Sequence, residues 1–552
     1  MSTRTADIII EGARVRTMLP GDLDGGTPRS IAIADGRIVG VGAADAVREA
    51  FRGAGTRIDD AAGRTITPGL IDAHLHPIQG VDIVQGVDLG GLTDLRVVLD
   101  RLREEAARVR RETVGGWVRA WNLDYAAFEG VRIAAATIDE ALGDVPALLY
   151  FFDVHTALVN TAGLAAAGIT GARTFDDTSE IVVDADGRPT GELREESAYA
   201  DVLAVIPKPS REETLDTARH TLALMRRSGL TGGAIMDGNT GTLDLLEALD
   251  TTGSGLPVRI VSAVDVKPAA DAEERARLMA QRDRGGDRWR GGMIKLYADG
   301  VIDSGTGWLY EPDTHGEGTT PFWADHDAFV RTVAEFTAAG FQIATHAIGD
   351  RAVGETISAY EAAGLRAAGR PTHRIEHLEC LDPRDIARLA ATGVTASMQL
   401  MHMQWRIPDG SDAWSERLGP ERAKQAWNAG SVLRAGAPLA LGSDWPIAEL
   451  DVRVGLAWAM LRRTPGDRDA HVYEPEERLT ALEALHGYTR GAALAQGDDD
   501  LGVIREGAHA DLAVWEEDPA LVSGDEIRNL PVATTYLAGV RDDAPTSAAR
   551  AE

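Results

Sequence analysis

Basic charge is in short supply in this chain. Among its 552 residues, 56 lysines and arginines face 86 aspartates and glutamates, a net charge of −30. That balance argues against nucleic acid and anionic membranes as partners, because both are held by basic patches. Lysine is rarer still, confined to Lys208, Lys267, Lys295 and Lys424. Cysteine occurs once, as Cys380. No intrachain disulfide can form, so a reducing, cytoplasmic setting is expected, and Cys380 reads as a small buried apolar residue rather than a nucleophile. No run of about twenty apolar residues is present, so no membrane span is expected. Residues 1–12 lack the basic-then-apolar pattern of a secretion signal. With 44% apolar and 26% charged residues, what remains is a globular enzyme or binding protein long enough for several domains.

What is present falls into blocks. Residues 1–67 read as short strands and Gly-rich turns, with Asp35-Gly36 as a hairpin signal between residues 30–34 and 37–41. This β-domain is short of strands. It is expected to be completed by strand-like residues 510–515 and 532–537, within a C-terminal part spanning 501–552 whose last dozen residues form a polar tail. Residues 68–79 are a turn and the first strand of the next domain. Residues 80–227 mix helical stretches with a few short strands and are too long for a connection, so they read as an inserted α+β subdomain. From 228 to 500, short apolar segments alternate with amphipathic ones. The segments at 231–236, 258–266, 293–298, 342–346, 374–377, 394–398 and 438–441, with 69–73 before the insertion, make eight. Strand–helix alternation implies a parallel sheet. Eight units predict a (β/α)8 TIM barrel, with its site at the C-terminal strand ends. A doubly wound open sheet is the alternative, but no Gly-rich phosphate turn follows the first strand.

The strand ends carry the chemistry. The first ends in His74-Leu75-His76, and side chains two apart in an extended chain share a face, so both imidazoles can meet one metal ion. The fifth ends at His346, the sixth at His377, and the eighth runs into Asp444. Singly, a histidine at a strand end is a hydrogen-bonded loop residue and an aspartate there is a helix cap. Four of the 13 histidines and one aspartate converging on one barrel mouth are together a metal-ligand inventory. Lys295 lies inside the apolar fourth strand, where a lysine is costly unless paired. Either it pairs with Asp299 or another acid, or it serves chemistry that needs an amine, for instance by adding carbon dioxide to become a carbamate ligand. Trp117, Trp121 and Tyr125 in the insertion, and Trp308, Tyr310, Trp405, Trp414 and Trp445 in the barrel loops, either line an apolar cleft for a bulky or aromatic small-molecule substrate or pack the insertion onto the barrel.

These stretches resemble the amidohydrolase superfamily, and within it amidohydrolase family 3, the YtcJ-like metal-dependent hydrolases. The matching runs are Pro-Gly-Leu-Ile-Asp-Ala-His-Leu-His (68–76), Ile-Lys-Leu-Tyr-Ala-Asp-Gly (294–300), Thr-His-Ala-Ile-Gly-Asp-Arg-Ala (345–352), Arg-Ile-Glu-His-Leu-Glu (374–379), Leu-Gly-Ser-Asp-Trp-Pro (441–446) and Gly-Ala-His-Ala-Asp-Leu-Ala-Val (507–514). The resemblance implies a barrel with a composite β-sandwich domain and one or two divalent metals, usually zinc. It implies His74, His76 and Asp444 on one ion, His346 and His377 on the other, and carboxylated Lys295 between them. It also implies hydrolysis of a non-peptide amide or cyclic-amide C–N bond by a metal-activated water, with Asp444 as general base. Asp153-Val154-His155 with Asn160 resembles a family segment that brings His155 to the substrate, and Asp299 and Arg351 fall in matching runs and join His155 and Trp121 as candidate substrate contacts. The chain departs from the family at Gln399-Leu400, where Gln-Pro is usual, and at Val301-Ile302-Asp303-Ser304-Gly305. Those loops shape the pocket, so the substrate does not transfer. A deaminase, an ester or lactone hydrolase, an isomerase on the same site and a non-catalytic scaffold stay open, as does the choice between a monomer and a homodimer.

Overall fold

The computed structural model describes residues 5–21, 28–112, 115–236 and 238–542; most of the expected tail lies outside them. Its centre is a sheet of eight strands: β1 (Leu70–Leu75), β2 (Leu230–Ile235), β3 (Arg259–Asp265), β4 (Trp289–Tyr297), β5 (Gln342–Ala347), β6 (Arg374–His377), β7 (Thr395–Met398) and β8 (Leu439–Leu441). Their spatial order is their chain order and each neighbouring pair is parallel. Every residue of β1, β2 and β5 to β8 is buried, because a parallel sheet wrapped by helices is covered on both faces. The intervening helices show the expected punctuation. Pro383–Thr392 starts with Asp382, whose side chain accepts the Arg384 N–H, and a proline at its first turn; it stops at Gly393, in the left-handed region at φ +68°.

The ring closes between β8 and β1, just past the end of β8. The Asp444 N–H donates to the His74 carbonyl at 2.7 Å, and the His76 N–H donates to the Trp445 carbonyl at 2.8 Å. Fully buried Asp72 accepts the N–H groups of His74 and Ser443, both at 3.0 Å. The seam of the barrel therefore runs through the residues that carry the candidate ligands.

The two ends of the chain meet in one composite sheet. Ile8–Val15 pairs with Pro28–Ala34, which continues into Arg37–Gly42 across the Asp35-Gly36 turn; on its other side Ile8–Val15 runs parallel to Thr65–Pro68. Thr65–Pro68 then pairs antiparallel with Leu512–Trp515, and Val532–Leu537 follows. Buried Arg16 grips Asp518 at 2.7 Å, and the Trp515 indole donates to the Thr67 hydroxyl at 2.9 Å. Thr65–Pro68 leads directly into β1, so this domain anchors the barrel's first strand.

Residues between β1 and β2 contain more β-structure than their sequence predicts. Six strands line up in the order Glu180–Val183, Pro189–Arg194, Thr156–Val159, Ala147–Phe151, Val118–Leu123 and Val87–Asp88, with helix Leu95–Glu112 nearby. The strands are two to six residues long, too short for alternation to register. Helix Arg211–Met225 contributes Ala218, Leu222 and Met225 to the barrel's core. Among the described residues no helix is long and apolar enough to cross a membrane. Cys380 is fully buried, which pushes its thiol up and keeps it out of nucleophilic chemistry.

Gly442 sits at the seam, where a Cβ would stand 2.6 Å from the His74 nitrogen and 2.9 Å from the Asp72 carboxylate. Main chain and a hydrogen-bonded carboxylate cannot yield cheaply. Gly442→Ala should therefore lower the unfolding free energy by about 1–3 kcal/mol, read as a shift in the urea midpoint; a wild-type midpoint would contradict the close approach.

Candidate metal centre

Three donor atoms form a nearly equilateral triangle at the barrel mouth. His74 Nε2 lies 3.2 Å from His76 Nε2 and 3.2 Å from Asp444 Oδ1, and His76 Nε2 lies 3.0 Å from the same oxygen. With bonds of about 2.0–2.1 Å, neighbouring ligands of a tetrahedral zinc-type ion stand about 3.3 Å apart, so the triangle has the size of one face of such a site. His74, His377 and Asp444 form a buried group able to share one ion. The Asp444 Oδ1, His377 Nδ1 and His402 Nε2 atoms are buried without hydrogen-bond partners. Native interiors rarely leave such atoms orphaned, and their convergence is what a cation would satisfy. The donor set fits a divalent metal.

The protonation states suit ligation. Burial holds His346 and His377 well below the usual imidazole range and lowers His74 too, so the rings are neutral. The tautomers are fixed from behind. His74 Nδ1 meets Glu376 Oε2 at 2.8 Å, leaving Nε2 as the lone pair, and His346 Nε2 meets the Gly300 carbonyl at 3.0 Å, leaving Nδ1. Arg374 in turn grips Glu376 at 2.6 and 2.9 Å and reaches the Ala73 carbonyl and the Ser397 hydroxyl, both at 2.6 Å. This fully buried relay ties β6 to β1 and β7 beneath the site.

Lys295 is 1% exposed, and among the described residues no carboxylate lies within ion-pairing distance of it. Its Nζ is 3.5 Å from His74 Nε2, and burial lowers its pKa. The expected alternative, pairing with Asp299, is not what the fold does. Asp299 is fully buried and spends its oxygens on the N–H groups of Trp308, Ile348 and Gly349 at 2.8–3.0 Å, stitching the loop after β4 to the loop after β5. Asp299 does not line the cavity over the site. Arg351 does not line it either: its guanidinium stacks over Trp308, 4.9 Å from the ring centre. Trp121 lines a neighbouring cavity rather than the one over the metal centre.

A cavity of about 430 Å³ opens over His76, Lys295, His346, His377 and Asp444. His155 belongs to its wall, with Nδ1 2.7 Å from Glu195 Oε2. Burial works against the charged ring, but Glu195 outweighs it and pushes His155 up to about 9. Glu195 also accepts the Thr306 hydroxyl at 2.8 Å. His402 stands on the opposite side, Nδ1 3.3 Å from Glu379 and Nε2 3.5 Å from Asp444 Oδ2. Sequence reasoning missed Glu195 and His402. Glu195 follows a short strand of the insertion, and His402 lies four residues past the end of β7, so neither falls at a barrel strand end. Glu195 shares one mark with His377 and Asp444, strain: these three and Val154 hold φ of +60 to +76°, a cost that clusters at functional sites.

Residues 57–541 match the amidohydrolase family, and the chain belongs to it. It is a hydrolase of that family. It is 28% identical to YtcJ of Bacillus subtilis, over 96% of this chain and 98% of that one. It is 26% identical to the N-substituted formamide deformylase of Arthrobacter pascens, over 98% of each chain. An uncharacterized metal-dependent hydrolase from Pyrococcus horikoshii has the same fold, with a TM-score of 0.71 at 21% identity over 94% of this chain and 99% of that one.

Glu376, at 2.8 Å from His74 Nδ1, leaves Nε2 as the lone pair a metal would need. Glu376→Gln should weaken metal binding by roughly 10–100-fold, measured by chelator competition, and cost about 3 kcal/mol of stability by leaving Arg374 buried without its charge partner. Unaltered metal affinity would contradict the relay.

Proposed function

We propose that the protein hydrolyses a non-peptide C–N bond, in an amide or cyclic amide of a small molecule, at a zinc centre held by His74, His76, Lys295, His346, His377 and Asp444. The triangle of His74, His76 and Asp444 atoms, 3.0–3.2 Å on each side, carries this reading. The family membership and a relative named for removing formyl groups from substituted nitrogen support the bond class. When bound, a divalent ion there supplies a water acidified to a pKa of about 7 and polarises a carbonyl.

The chain's own groups do the rest. Asp444, pinned through its N–H to the His74 carbonyl, receives the proton of the attacking water on its carboxylate and returns it to the leaving nitrogen. His155, held at Nδ1 by Glu195, presents a protonated ring to the cavity at neutral pH and donates to the oxygen that becomes negative. Lys295, whose pKa burial lowers, could add carbon dioxide at Nζ with loss of a proton, and the carbamate so formed would join His74, His76, His346, His377 and Asp444 as an anionic oxygen donor to the metal. Phe152 stacks on Trp405 with ring centres 4.6 Å apart at the cavity wall, which suits a bulky apolar or aromatic substrate and keeps bulk water from the reacting carbonyl.

Asp444→Asn should keep at least one metal ion per chain and lose roughly 10²–10⁴-fold in kcat, measured with metal analysis and amine release on the same preparation. A kcat equal to wild type would remove Asp444 from the base role. Lys295→Met should bind less metal than wild type; equal metal content would leave the lysine without a ligand role.

A further inference from the structure

Five lysine and arginine side chains line the cavity over the metal centre: Arg119, Lys208, Lys267, Lys295 and Arg406. Three of the chain's four lysines are among them, while the fourth, Lys424, pairs with Glu421 elsewhere. Lys267 is neutralised by Glu196 at 2.7 Å and Arg406 by Glu474 at 2.9 Å, and Lys295 belongs to the metal centre. Arg119 and Lys208 have no carboxylate within ion-pairing distance among the described residues. Arg119 is half-buried with its Nε left without a hydrogen-bond partner, and Lys208 is an exposed residue on the wall of the same cavity. The Arg119 guanidinium has one partner, the Asp82 main-chain carbonyl at 2.6 Å. Lys208 is held between Pro207 and Pro209, all three on the wall, and the prolines fix the backbone on either side. Asp82 is the acid of this wall; burial pushes it up against the pull of both cations.

We propose that Arg119 and Lys208 form a subsite for a carboxylate on the substrate, separated from the scissile bond by an apolar spacer lying along Leu203 and Ile206. A planar guanidinium beside a flexible ammonium matches a carboxylate. A phosphate site would draw on main-chain N–H groups, and the two prolines remove them here. This specificity rests on the C–N hydrolase reading, which the test separates from it.

The test compares N-benzylacetamide with its 4-carboxylate on the metal-loaded enzyme, reading binding by calorimetry at low and high salt and cleavage by amine release. The carboxylate should bind roughly tenfold tighter. The advantage should shrink with salt, fall roughly fivefold in Lys208→Met or Arg119→Met, and persist in Lys208→Arg. Equal affinities in the wild type, no binding of the carboxylate, or a preference untouched by both methionine variants would overturn the subsite. A charge-dependent preference without cleavage of either compound keeps the subsite and counts against the bond class; cleavage without preference does the reverse.

Discussion

Everything at the barrel mouth depends on how the eighth strand meets the first. The two do not pair along their length. They are joined by the Asp444–His74 and His76–Trp445 main-chain hydrogen bonds and by the Asp72 carboxylate that bridges both segments. The bonds that close the sheet are therefore the bonds that set Asp444 against His74 and His76. A barrel that failed to close would lose its core and its ligand triangle together, because the same peptide groups serve both. The composite domain reinforces this: the strand that pairs with the C-terminal segment leads straight into β1.

The second constraint is electrostatic. Neutral imidazoles, an amine and a carboxylate are sealed into the mouth with few hydrogen-bond partners of their own. Isolated polar burial of that kind is expensive, and the fold meets part of the cost from below. Arg374 and Glu376 hold each other inside the barrel, and Glu376 steadies His74. Asp444 Oδ1, His377 Nδ1 and His402 Nε2 stay unsatisfied around the Asp444 carboxylate, where a cation would satisfy them. Strained backbone at His377 and Asp444 is tolerable because the flanking strands over-determine those positions.

Much of this was legible in the chain. The eight apolar segments predicted the barrel strands closely, and β5 and β6 begin where the sequence puts them, at Gln342 and Arg374. His74 and His76 declared themselves by spacing, and His346, His377 and Asp444 by standing at strand ends. The rest was hidden for identifiable reasons. The insertion's sheet is built from short strands interrupted by polar residues such as Arg119 and Asn122, so no period marks it. Asp299 follows a strand like a ligand would, yet its oxygens are consumed by three main-chain N–H groups, a fate only the tertiary structure reveals. Glu195 and His402 reach the site from segments with no motif, and their partners lie 40 and 23 residues away in the chain.

If the converging donors hold a divalent ion that the reaction needs, X-ray absorption and metal counting on the purified protein should find at least one tightly held ion per chain, in a nitrogen and oxygen shell with two or more imidazoles and no sulfur. A protein that carries no divalent metal after dialysis, binds none when it is supplied, and still turns over substrate would contradict it.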